Sequence, residues 1–157
     1  MITGKEKLLE AMIEVYRMEK GAKDFYAKAS RKAMEDTAQR VFHQLVQWKD
    51  EHMHYIQSLY QAIRDERETV SFEEFKEKTP PEGVGDAIPL RELEEEIGVY
   101  SFIDDQGALT LALEIETKSY NLYKKLSETA DDINTKAFMK EMMQRQHLHI
   151  EYLKGLR

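Results

Sequence analysis

Apolar residues recur at helical spacing along most of this chain, and they do so in four long runs. The first carries Leu8, Leu9, Met12, Val15, Tyr16, Ala22 and Tyr26 and predicts a helix over about 4–33, opened by a Thr3–Glu6 capping box. The second carries Val41, Phe42, Leu45, Val46, Met53, Ile56, Leu59, Tyr60 and Ile63 and predicts a helix over about 37–67, with Asp36 and Gln39 as its cap. Residues 68 to about 104 break the pattern with Thr79, Pro80, Pro81, Gly83, Gly85, Pro89 and Gly98. Two short helical candidates lie inside that stretch, one capped by Ser71 and one over 90–97, so the connection is expected to pack on the helices. The third and fourth runs predict helices over about 105–129 and 133–154, separated by the turn at Asp131 and Asp132. Nothing favours strands. The short links within each pair predict two antiparallel hairpins, and the long crossover lets them lie side by side as an all-α four-helix bundle.

The two hairpins resemble each other at a constant offset of 97 residues, which carries Glu19 onto Glu116, Tyr26 onto Tyr123 and His52 onto His149. At about 100° per residue, His52 and Lys49 fall inside the apolar stripe of the second helix, and His149 and Gln146 fall inside that of the fourth. Glu19 and Glu116 sit centrally on the stripes of the other two. Six polar side chains are thus expected inside the bundle: Glu19, Lys49, His52, Glu116, Gln146 and His149. The same phase turns Glu51, His54, His147 and Glu151 outward. Two buried carboxylates need a cation between them, because an unpaired charge in a dry interior costs several kcal/mol.

Composition narrows the chemistry. The chain has 157 residues and no Cys, which excludes thiolate zinc sites, iron–sulfur centres and a cysteine nucleophile. Any metal must be held by His, Glu and Asp. A size of this order fits one domain that buries enough surface to stand without a structural metal. The formal charge of −7 and the lack of a basic patch argue against nucleic acid. The N-terminal charges recur every few residues, with no signal-peptide core and no apolar run of about 18, so no membrane segment is expected and the chain reads as cytoplasmic. No nucleophile–base pair or phosphate-cradling glycine loop is found, which removes hydrolase and nucleotide readings.

Through Glu19 with Tyr26, the His52 helix, Glu116 with Tyr123 and the His149 helix, the sequence resembles the rubrerythrin branch of the ferritin-like di-iron carboxylate superfamily. The resemblance spans nearly the whole chain. It implies a ferritin-like bundle with Glu19 and Glu116 as carboxylate ligands and His52 and His149 as nitrogen ligands to iron; Tyr26 and Tyr123, two turns after the two glutamates on the same face, are placed either to hydrogen-bond the carboxylates or to pack as ordinary core tyrosines. It also implies peroxide or iron chemistry of the peroxidase or ferroxidase type. The paired-cysteine electron-transfer module of full rubrerythrins is missing, so an electron donor would be another protein. Related bundles commonly pair into dimers, and the apolar segment 99–103 is a candidate for such a contact.

One departure changes the picture. In the family each His is preceded three residues earlier by Glu, an i, i+3 spacing that puts both ligands on one face; here those positions hold Lys49 and Gln146. Glu51 and His54 satisfy the written motif, but in a register that points outward unless a bulge intervenes. A full site sets about four carboxylate charges against two dications, whereas two carboxylates with a charged Lys49 would leave two dications about +3 in excess. Three readings therefore stand, one of them with Glu51 and His54 as the true ligands, and the other two keep the inward register. One dication (iron, manganese or zinc) is held by Glu19, His52, Glu116 and His149, or the Lys49 ammonium replaces the metal in a network with both carboxylates and the protein works as a binding or regulatory module.

Overall fold

The computed structural model describes residues 4–78 and 104–156. It contains α1 (Gly4–Lys32), α2 (Asp36–Arg64), a short α3 (Phe72–Lys78), α4 (Asp105–Thr129) and α5 (Ile133–Gly155). No strand occurs among the described residues. α1 packs along α2, α4 along α5, and α1 lies beside α4, so the two expected hairpins sit side by side. The helical candidate at 90–97, the Thr3 of the first capping box and the segment 99–103 lie outside the described residues. No helix among those described is long and apolar enough to cross a membrane.

The ends of the helices are fixed by contacts across the chain as well as by local caps. Asp104 opens α4 by accepting from the Gly107 N–H at 2.8 Å, and Asp132 opens α5 by accepting from the Thr135 N–H at 2.8 Å. Ser71 accepts from the Glu74 N–H at the start of α3, as its position before that helix predicts. The expected cap of α2 at Asp36 is not used. The N-cap is Glu35, whose side chain closes no capping bond, and the Asp105 carboxylate reaches over from α4 to accept from the Met34 and Glu35 N–H groups at 3.0 and 3.1 Å. α2 also stops at Arg64, short of the expected 67. Glu66 turns to φ 57°, a left-handed conformation, and the Arg67 N–H bonds back to the Ala62 carbonyl at 2.8 Å, a closure that ends helices.

Beyond α2 the chain is tied to the start of α5, where Thr69 donates to Asp132 and Asn134 donates to the Thr69 carbonyl. α3 then lays Phe72 and Phe75 against Tyr55 of α2, with Phe72 also edge-on to Phe138 of α5. It therefore covers part of the α2/α5 face. The apolar interior is in two clusters. One gathers Met12, Val15, Ile56, Leu59, Phe72, Tyr123, Phe138 and Met142, and the other Phe25, Tyr26, Phe42, Leu45, Leu109, Ala112 and Leu153. Residues 19, 49, 52, 116, 146 and 149 lie between them in chain position on every long helix, as a polar layer.

Candidate metal centre occupied by lysine

All six residues that helical phase turns inward are buried. Glu19, Lys49, His52, Glu116 and Gln146 are fully so, and His149 is 7% exposed. Each comes from the middle of a long helix whose remaining inward positions are apolar, so burying the helix carries the polar group with it. The alternative pair does not join them. Glu51 is exposed, and His54 is half-buried on the flank, 3.7 Å from Asp50. His43 and His147 are exposed, as phase and spacing predict.

Lys49 sits between the two carboxylates. Its Nζ is 3.3 Å from Glu19 Oε1 and 3.4 Å from Glu116 Oε2. Burial opposes the charge on Glu19, but the Lys49 ammonium outweighs it and holds the carboxyl down at about 2. Glu116 is lowered in the same way, burial opposing and Lys49, then His149 and Tyr26, prevailing. Burial likewise opposes the charge on Lys49, and the two carboxylates, Glu116 first, overcome it and raise its pKa. The three groups therefore stay ionised together.

Each histidine lies beside one carboxylate. His52 Nδ1 is 3.6 Å from Glu19 Oε2, and His149 Nδ1 is 3.8 Å from Glu116 Oε2, both too long for a hydrogen bond. Burial pushes the His52 pKa down, with only partial opposition from Glu19, so this ring is neutral at neutral pH. Its outer side meets Phe72 edge-on, while the His149 ring stacks flat on Trp48 at 4.7 Å. The two tyrosines divide between the two expected roles. Tyr26 donates across the bundle to Glu116 Oε1 at 2.5 Å. Tyr123, its counterpart by the repeat, is buried near Glu19 but closes no hydrogen bond; burial first and the Glu19 charge second push its ionisation well above the ordinary range.

Several buried polar atoms of the layer have no hydrogen-bond partner. They are Glu19 Oε2, both ring nitrogens of His52, Nδ1 of His149, the hydroxyl of Tyr123 and both ends of the Gln146 amide. This donor set does not fit a di-iron centre. The two positions that would supply the further carboxylates hold an amine and an amide, and the ammonium stands where positive charge is already balanced. Among the described residues no three His, Asp or Glu side chains converge in a way that could hold a metal ion.

Sequence reasoning did not single out Trp48 or Phe72 as covers of the two histidines. Trp48 did offer a signal, since it adjoins Lys49 on the inward side of α2. Phe72 offered none, because its contact with His52 depends on how the chain folds back after α2.

No protein-family model matches the chain, and no curated protein matches it either. Among solved structures, one described as ferritin-like, diiron-carboxylate proteins from Bacillus anthracis is similar at a TM-score of 0.67 and 21% identity, with 99% of each chain covered. The chain therefore has the ferritin-like fold, an all-α bundle of two helical hairpins.

Proposed function

We propose that this is a ferritin-like bundle in which the Lys49 ammonium has taken the role of the central cation, and that it works as a binding or regulatory module without two-metal redox chemistry. The observation that carries the reading is the placement of one ammonium within 3.4 Å of both buried carboxylates. With Lys49 charged, the centre carries about one net negative charge, and adding two dications would leave the large excess that a buried site does not tolerate.

A second reading has its own support. The unpartnered atoms of Glu19, His52, Gln146 and His149 are a donor set of the type that suits a single iron, manganese or zinc ion. Glu19, His52, Glu116 and His149 would hold such an ion if Lys49 withdrew, and the likeness to a Bacillus anthracis structure described as diiron-carboxylate adds weight to metal chemistry. Iron or manganese there would supply one-electron redox chemistry suited to iron or peroxide handling, with electrons from another protein, whereas zinc would supply none.

Elemental mass spectrometry separates the readings, on protein purified without chelator and reloaded anaerobically with ferrous ion. No bound metal is expected, together with a gain of ferrous binding in the Lys49→Glu, Gln146→Glu double variant, which restores the family's ligand pattern. About one metal per chain, abolished by Glu116→Ala, establishes the mononuclear reading. About two overturns both.

A further inference from the structure

The two histidines of the polar layer are closed off in different ways. His149 stacks on Trp48, which belongs to α2 and so is fixed as long as the bundle is packed. His52 meets Phe72 edge-on at 5.8 Å between ring centroids, and Phe72 belongs to α3, a seven-residue helix apart from the four long ones. A helix of that length has no stability of its own in water, so α3 is held by what it touches.

Those contacts are made by side chains and are local. Phe72 packs on Tyr55 and Phe138, Phe75 packs on Tyr55, and the Arg145 guanidinium of α5 lies 5.4 Å from the Phe72 ring centroid. Ahead of α3, the Tyr55 hydroxyl donates to the Val70 carbonyl, Thr69 donates to Asp132 at 3.1 Å, and Asn134 donates to the Thr69 carbonyl at 2.9 Å. Residues 67–70 belong to no helix, and the chain enters them through Glu66 at φ 57°, a left-handed backbone that is unfavourable for a residue with a side chain. Residues 66–78 thus form a strap, strained at its root, latched at Thr69 and Val70 and seated over His52 by Phe72. Releasing it gives up two phenylalanine contacts and a few hydrogen bonds, whereas α1, α2, α4 and α5 keep their packing, so the strap belongs to the low-stability end of the molecule.

We infer that residues 66–78 are a hinged cover of the polar layer, which opens about Glu66 while the four long helices stay packed, and that His52 is the group it uncovers. Both ring nitrogens of His52 lack a hydrogen-bond partner behind Phe72, so the open form presents a nitrogen lone pair to small electrophiles and to cations that bind imidazole. His149, closed by Trp48, stays covered in that form. The inference holds whether Lys49 or a metal ion is the central cation, because it concerns the way in.

Carbethoxylation by diethyl pyrocarbonate, located by peptide mass spectrometry, reads the exposure of each histidine separately. In the parent chain His52 is expected to react more slowly than the exposed His43 and His147, at a rate that hardly changes with urea below the unfolding transition, since opening the strap exposes little surface. Thr69→Val removes the latch to Asp132 and leaves Phe72 and the core in place; it is expected to speed the reaction at His52 about 5-fold or more. Phe72→Ala removes the cover itself and is expected to speed it further. In both variants His149 keeps its parental rate. A parental rate at His52 that climbs with urea in step with global unfolding overturns the inference, because exposure then requires the whole bundle to open. So does a folded Thr69→Val variant that leaves His52 at the parental rate, or one that accelerates His52 and His149 together.

Discussion

Lys49 has no exposed surface and two carboxylate partners, so its charge and theirs are a single unit whose protonation is tied to folding. The signs follow from the direction of each pKa. Glu19 falls from 4.5 to about 2 and Glu116 also falls, so their contribution is present above about 4.5 and lost as pH drops through the folded values. His52 is lowered below 6.5, so the unfolded chain binds a proton there that the folded chain does not, and stability declines once pH falls below 6.5. Lys49 is raised above 10.5, so its contribution is complete below 10.5 and disappears as pH rises through the higher folded value. Urea midpoints are therefore expected to be highest between about 6.5 and 10, the upper limit set by the buried Tyr123, which ionises more readily in the unfolded chain, and to fall on both sides. A midpoint that stays constant from 6.5 down to 2 would contradict the assignment. The tyrosines provide a second residue-scale prediction. Tyr26→Phe removes a hydrogen bond to a charged acceptor and should cost about 1.5–3 kcal/mol, whereas Tyr123→Phe removes a buried hydroxyl without a partner and should be neutral or slightly stabilising. Equal losses in denaturant unfolding would mean that both hydroxyls bond.

At the scale of the helices, local sequence and distant contacts divide the work. The repeat of apolar positions was enough to delimit α4 and α5 almost to the residue, because Asp104 and Asp132 are local caps that the sequence displays beside the runs they open. Asp36 looks the same in sequence but does not cap, because the helix begins one residue earlier than it predicts, with Glu35 at the N-cap and Asp36 already in the first turn, while Asp105, some seventy positions away, accepts from the Met34 and Glu35 N–H groups before it. The end of α2 was equally illegible, because nothing in Glu66 announces a left-handed turn. The contrast can be measured. Asp132→Ala should destabilise the protein by about 1–2 kcal/mol, since it removes the α5 cap and the anchor of Thr69 together. Asp36→Ala should change stability by less than about 0.5 kcal/mol. A larger loss at Asp36 than at Asp132 in urea titrations would refute this account of the helix starts.

For the whole molecule, the offset of 97 residues makes the polar layer legible in the sequence, because a repeat that aligns Glu with Glu and His with His also aligns their faces. What the pattern could not convey was the traffic across the layer. Tyr26 serves the carboxylate of the opposite hairpin, and a single lysine serves both carboxylates. Those links depend on side-chain reach between helices, which no one-dimensional spacing encodes. The layer is also unequal in its halves, with Lys49 answered by Gln146 at the related position. The first hairpin thus contains an acid and its counter-ion, Glu19 and Lys49, within itself. The second has an acid and a histidine but no lysine, and Glu116 meets its ammonium only when the first hairpin arrives. The missing charge sets a direction for assembly: the N-terminal half, synthesised first, can close as a neutralised pair and then serve as the template on which the C-terminal half is able to bury its carboxylate.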